Sequence, residues 1–287
     1  MNALVAIQVA VHDRHSFLRS AYAETPFKVA NISEGRHPRQ LHLMLMSSSP
    51  GILEGDNYTI DIALDENSAL QLSTQSYQRL FSMTGGAGQA LTVRMAKGSS
   101  FVYLPHPVVP HALSVFRASG KIYLADECSV TWAEIFTCGR KLSGERFLFS
   151  FYQSVTEIFW NDKLMIKENL VMAPGKTDAV MQQLEGFTHQ ASMICLWPRG
   201  LVAECKAAVS EYLSRQQDIL YGVTAASVNG VIIRLLGNSA EHLFDCIKKL
   251  NGILHLVKLT NDGIAALDHD VQNGCEGVLA LKKVYEQ

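Results

Sequence analysis

Two carboxylates and two histidines are the residues of this chain whose surroundings suggest chemistry. Asp56 ends the turn-rich run Ser49-Pro50-Gly51-Ile52-Leu53-Glu54-Gly55-Asp56. It reads either as a turn residue or as a carboxylate aimed into the fold. Glu134 interrupts the apolar stretch Val130-Thr131-Trp132-Ala133-Glu134-Ile135-Phe136. A carboxylate buried there costs free energy unless it is paired, hydrated or metal-bound. Strand alternation offers the plainer alternative, a solvent-facing Glu134. His106 and His111 flank the proline run Pro105-His106-Pro107-Val108-Val109-Pro110-His111. Imidazole suits nickel, whereas a loop histidine ordinarily faces water. If Asp56, His106, His111 and Glu134 converged, they would make a metal-dependent hydrolase on a β scaffold. His12 and His15 have metal-binding spacing but sit in a polar turn with no third ligand nearby.

Familiar catalytic signatures are missing. The chain has no G-x-S-x-G and no H-E-x-x-H. Thr84-Gly85-Gly86-Ala87-Gly88 is glycine-rich, but no Lys-Ser/Thr follows and the next residues alternate like a strand. It reads as a hairpin loop, not a phosphate loop. The six cysteines (Cys128, Cys138, Cys195, Cys205, Cys246, Cys275) form no C-x-x-C pair. That spacing fits buried, reduced thiols in a cytoplasmic protein.

The elements that must position these residues are mostly strands. Tyr58, Ile60, Ile62 and Leu64 alternate with polar positions, and Leu70, Leu72 and Thr74 do so again after Asp65-Glu66-Asn67. This predicts two antiparallel strands joined by a turn. Further strands are expected over 4–11, 17–23, 27–32, 41–46, 91–95, 101–104, 121–125, 129–136 and 147–152. The prolines of 105–110 exclude a central strand there. Hairpins are expected around Asn161-Asp162 and Asn229-Gly230. Two helices near the C-terminus are expected at about 201–217 and 239–251, the second capped at Asn238 and stopped by Gly252. The fold class is therefore mostly β: one elongated many-stranded domain over 1–260, then a tail over 261–287 that is partly disordered.

Of 287 residues, 48% are hydrophobic and only 18% charged. The core is sizeable, and a surface short of charge suits coverage by a partner. A net charge of −2 gives no electrostatic case for nucleic acid or an anionic membrane. The N-terminal run reads as a strand, not a signal peptide, and no window is apolar enough to span a membrane.

The order of motifs resembles the urease accessory protein family UreD, called UreH in some bacteria. The family loop Gly-Gly-x-x-Gly-Gly-Asp appears as Gly51-Ile52-Leu53-Glu54-Gly55-Asp56, with Ile52 and Glu54 replacing two glycines. Leu72-Ser73-Thr74-Gln75-Ser76, Leu104-Pro105-His106-Pro107, Trp132-Ala133-Glu134, Gly139-Arg140, Gly144-Glu145-Arg146-Phe147 and Arg234-Leu235-Leu236-Gly237-Asn238-Ser239 follow in family order. The family's Pro-Arg-x-Trp tail is absent.

The resemblance implies a non-enzymatic scaffold of urease maturation. Its partners would be apo-urease and a UreF-like protein, which recruits a UreG-like GTPase carrying nickel. It implies a water-filled passage lined here by Asp56, Gln78, Glu134 and Glu168, with no tightly bound cofactor and nickel only in transit. Carboxylates, carbonyls and water make weak, exchangeable nickel contacts. An interaction module unrelated to metal is the remaining alternative.

Overall fold

The computed structural model describes residues 1–35, 38–174, 183–200 and 202–271, with the last helix's side chains described as far as Val257. Strand is the dominant structure of the described residues, which makes the chain mostly β with two helices near the C-terminus.

Two sheets face each other. The first runs β14 (Lys163–Met172), β13 (Phe151–Trp160), β11 (Val115–Leu124), β8 (Ala87–Met95), β5 (Asn57–Leu64), β1 (Asn2–His12) and β2 (His15–Ala23). The second runs β16 (Ile219–Ala225), β17 (Gly230–Gly237), β15 (His189–Leu196), β12 (Ser129–Thr137), β9 (Ser100–Leu104), β6 (Ala69–Thr74), β4 (Leu41–Ser47) and β3 (Phe27–Asn31). Short β10 (Val108–Pro110) lies beside β12, and β7 (Gln78–Leu80) pairs with β10.

Both sheets are parallel in their middles. β1, β5, β8, β11 and β13 pair in parallel, as do β4, β6, β9 and β12. From β4 through β6 and from β8 to β13 the chain crosses from sheet to sheet, apart from short β10. This corrects the expected hairpin of 57–64 with 69–74. β5 and β6 lie in different sheets, and Ile60, Ile62 and Leu64 share one core with Leu70 and Leu72. Alternation marks a half-buried strand but does not say whether its successor lies beside it or across the core. The arch at 65–68 is tied to β1 and to the turn after β8 instead: the Asp65 amide donates to Val9 O and the Asn67 amide to Lys97 O, at 2.9 and 3.0 Å.

The two late hairpins form as expected. Asn161 (φ 46°) and Asp162 (φ 61°) turn β13 into β14, in the left-handed conformations that tight hairpins require. β16 and β17 pair antiparallel, with Gly230 opening β17 instead of centring the turn. The proline run, expected to hold no central strand, contributes only a three-residue strand off the main path of the second sheet. β10 pairs with β7 and meets β12 at Val108, while Pro110 ends it.

Helix α1 (Val202–Ser214) buries Cys205, Val209 and Leu213. Residue 201, its expected start, lies outside the described residues. Helix α2 (Ala240–Val271) runs through Gly252 and well past the expected stop. Leu254 continues the buried stripe of Leu243, Ile247 and Leu250. That packing outweighs the roughly 1 kcal/mol cost of a glycine inside a helix. The cap is Ser239, whose Oγ accepts from the His242 amide at 3.3 Å. The tail thus begins as helix, and residues 272–287 lie outside the described residues. Both helices cover the outer face of β12, β15 and β17. No helix among the described residues is long and apolar enough to cross a membrane.

Candidate functional site

Side chains of the first sheet that face the second come in rungs. One rung is Ile62, Val93, Ile122 and Ile158, apolar and closed. The next is Ile60, Leu91, Gly120 and Thr156, followed by Glu168 on the edge strand. The third is Tyr58, Gln89, Ala118 and Ser154. Small and polar residues thus replace apolar bulk at adjacent inward positions. Space is left between the sheets, and the groups lining it can bind water.

That space is a cavity of about 140 Å³. Its walls include Gln78, Gln89, Tyr103, Trp132, Glu134 and Tyr152. Exposed Ser47, Pro50, Gln75 and Ser76 line it too, so it opens to solvent on that side. Gly51, Pro105 and His106 stand at the same rim. A second cavity, of about 20 Å³, is lined by Glu134, Phe136, Tyr152, Ser154, Glu168, Leu170, Gln190 and Ser192. Glu134, Tyr152 and Ser154 belong to both walls.

Glu134 is therefore the hub. It points inward from β12, and three donors hold it. The Trp132 indole N–H and the Thr156 hydroxyl donate to Oε1 at 3.0 and 2.8 Å, and the Ser154 hydroxyl donates to Oε2 at 3.0 Å. Two of these donors come from the opposite sheet. The outward alternative for Glu134 is excluded by these bonds. Burial first, and then the Glu134 carboxylate, push the Tyr103 and Tyr152 phenols far above their ordinary range, so both stay neutral. On the larger cavity's wall, the Gln78 amide donates across the gap to Gln89 Oε1 at 2.8 Å. At the smaller one, Arg234 donates to Glu168 through a charge-assisted bond.

Asp56 lies on neither wall. Its buried carboxylate accepts from the Leu53 amide at 2.8 Å, the Tyr58 hydroxyl at 2.7 Å and the Met1 ammonium at 2.9 Å. The loop closes on itself around that anion. This corrects the expectation that Asp56 faces the passage. Burial raises its carboxyl, but the three donors outweigh burial and hold it below the usual carboxylate range. The anion is therefore bound more tightly folded than unfolded. The stability it contributes is present above the ordinary aspartate range and is lost as pH falls through the depressed value. Asp56→Asn is expected to flatten the acid side of the stability profile below about pH 4, read by urea midpoints at stepped pH.

The histidines do not come together: His106 is at the rim of the larger cavity and His111 is on neither wall. His106 packs its ring on Phe244 at 4.5 Å between centroids, and its Nδ1 lies 3.2 Å from Thr74 Oγ1. His111 is buried edge-on to Phe81 at 4.8 Å, away from both cavities. Burial lowers both imidazoles, with Arg140 a secondary cause at His111. Among the described residues no group of three or more His, Cys, Asp or Glu is placed to hold a metal. The convergence of Asp56, His106, His111 and Glu134 is not observed.

The remaining motif residues shape the rim and one end. A Cβ on Gly51 would meet Arg79 O at 2.5 Å, so the loop lies against β7 only because Gly51 has none. Arg140 forms a two-point pair with Glu145, whose Oε2 also accepts the Ala112 amide at 3.2 Å. Gly139 and Gly144 supply left-handed turns with φ 118° and 81° on either side of a short 3-10 helix, Lys141–Ser143.

Gln89, Gly120, Ser154, Thr156 and Arg234 escaped the sequence reading as site residues. A signal exists for three of them. Ser154 and Thr156 share the parity of buried Tyr152 and Ile158 on β13, and Gly120 shares that of Ile122 on β11. Polar or tiny residues at inward positions mark a hole.

Comparison with known proteins matches residues 1–263 to the family described as UreD urease accessory protein. A urease accessory protein UreD of Flavobacterium johnsoniae is 44% identical over 82% of this chain and 86% of its own. That of Acetivibrio thermocellus is 32% identical over 87% and 95%, and that of Actinobacillus pleuropneumoniae serotype 5b 34% over 79% and 88%. With the family match spanning nearly the whole chain, this protein belongs to the UreD family of urease accessory proteins.

Proposed function

We propose that this chain matures urease as a scaffold with a passage. It binds apo-urease and a UreF-like protein, through which a UreG-like GTPase delivers nickel, and the ion crosses between the two sheets past Glu134 on its way to urease. The chain itself catalyses no reaction. One observation carries this reading: a single carboxylate, held by donors from both sheets, stands in the wall common to both cavities. One carboxylate with hydroxyl neighbours attracts a divalent ion without enclosing it, whereas thiolates or several imidazoles would trap it. Gln78 and Gln89 extend the polar lining towards the open rim, and Glu168 extends it the other way.

The test fills the space without touching charge. A Cβ on Gly120 would lie 2.6 Å from the Trp132 ring, so a valine there intrudes beside Glu134. Gly120→Val is expected to cost about 1–3 kcal/mol of stability. In cells co-expressing urease and its other accessory proteins, it should lower urease activity several-fold while the chain still co-purifies with its partners. Full activation by a folded Gly120→Val variant rejects the passage, and loss of co-purification assigns the defect to docking.

A further inference from the structure

We propose that Arg234 is the gate at the outer end of this passage, a cation that occupies Glu168 until the travelling ion displaces it. The inference rests on the passage reading and adds what keeps the route from becoming a trap. Glu168 stands on β14, the edge of the first sheet, and Arg234 on β17 of the second. Their ion pair spans the gap between the sheets. Glu168 lines the smaller cavity with Gln190 and Ser192, and Ser192 is the register partner of Arg234. The bond is therefore made at a residue of the small cavity that the larger one does not share. Relative exposures of 48% for Arg234 and 28% for Glu168 put it at the protein surface.

The placement has a chemical consequence. Glu134 and Glu168 line one small cavity, and Thr156, which donates to Glu134, is the register partner of Glu168. Two free carboxylates facing so small a space would share a divalent ion and hold it. With Arg234 bound to Glu168, the inner carboxylate acts alone and its grip stays weak. Exposed ion pairs are weak and exchange readily. A doubly charged ion arriving at Glu168 competes well against a singly charged guanidinium, which swings out and returns behind it. Arginine suits the task because its guanidinium is a donor only and has no lone pair with which to bind the metal itself.

The experiment uses the purified full chain and nickel(II) alone. Protein is incubated with nickel, desalted and assayed for metal, and affinity is read by competition with a chelator. Arg234→Met is expected to retain close to one equivalent and to bind at least tenfold more tightly than the parent. Arg234→Lys should behave as the parent, and Arg234→Met with Glu168→Gln should lose the gain. Equal retention by Arg234→Met and the parent overturns the gate, as does undiminished retention by the double variant. If Arg234→Met fails to fold, the exchanged pair Arg234→Glu with Glu168→Arg rebuilds the clasp and must release nickel as the parent does; retention by it also overturns the proposal. These readouts need no urease. Failure of the passage is seen separately, in urease activation by a variant that leaves Arg234 intact.

Discussion

Glu134→Gln should lower nickel-dependent urease activation at least about tenfold while the protein stays folded. The substitution removes one charge and almost nothing else. A glutamine Oε1 still accepts from the Trp132 indole and the Thr156 hydroxyl, and the Ser154 hydroxyl turns to accept from the new amide. The melting temperature should therefore move by only about 2–4 °C, the change that roughly 1 kcal/mol produces in a chain of this size. The effect on a passing dication is far larger. A unit-charge pair 4 Å apart interacts by about 4 kcal/mol at an effective dielectric constant near 20, and a dication doubles that. Even after water screens most of it, more than about 1.4 kcal/mol remains, which is a factor of ten. The measurement is urease activity per urease in cells supplied with nickel, with partner binding checked by co-purification. Parental activation by Glu134→Gln would remove the charge from the mechanism.

The largest loss of stability is expected from a methyl group far from the cavities. Gly230 opens β17 opposite Leu196 of β15. A Cβ there would lie 2.2 Å from Cys195 O and 2.7 Å from Leu196 Cδ2. The first contact is with backbone, so no rotamer change relieves it. β15 and β17 must separate at that point, and their residues Ile194 and Leu196 belong to the core between the sheets, while Cys195 and Val231 belong to the core under the helices. Gly230→Ala is expected to cost about 3 kcal/mol or more, which lowers the melting temperature by roughly 6–12 °C. A calorimetric scan decides it; a change within about 1 °C would show that the strands adjust at little cost.

How much of this was legible beforehand varied with the kind of information each feature carries. Strands were plain because alternation of buried and exposed residues is a local property, and the Asn161-Asp162 turn was plain because few residues adopt its backbone angles. The sheet each strand joins was not, because the hydrophobic face of β5 serves a neighbour beside it or across from it equally well. Glu134 stood out as a carboxylate in apolar company. Its partners did not, since Ser154 and Thr156 lie twenty or more residues away and meet it only across the core. Asp56 misled for the opposite reason: a turn aspartate satisfied by Leu53 and Tyr58 looks, in one dimension, like one with work elsewhere. Gly252 was read as a stop because its propensity is local, whereas the packing of Leu250 and Leu254 that carries the helix onward is not.

The order in which strands join the sheets bears on how such a body is made. The first sheet adds β1, β5, β8, β11, β13 and β14 from one side to the other, and the second adds β4, β6, β9, β12, β15 and β17 in step. Each strand leaving the ribosome thus finds its template already laid down, so construction proceeds like courses of brick and needs no late threading. Until the final course arrives, the growing rim is an open parallel ladder, the kind of edge that recruits stray strands. Synthesis ends that exposure only when the last hairpins seal both rims, and those same hairpins bring Glu168 and Arg234 together.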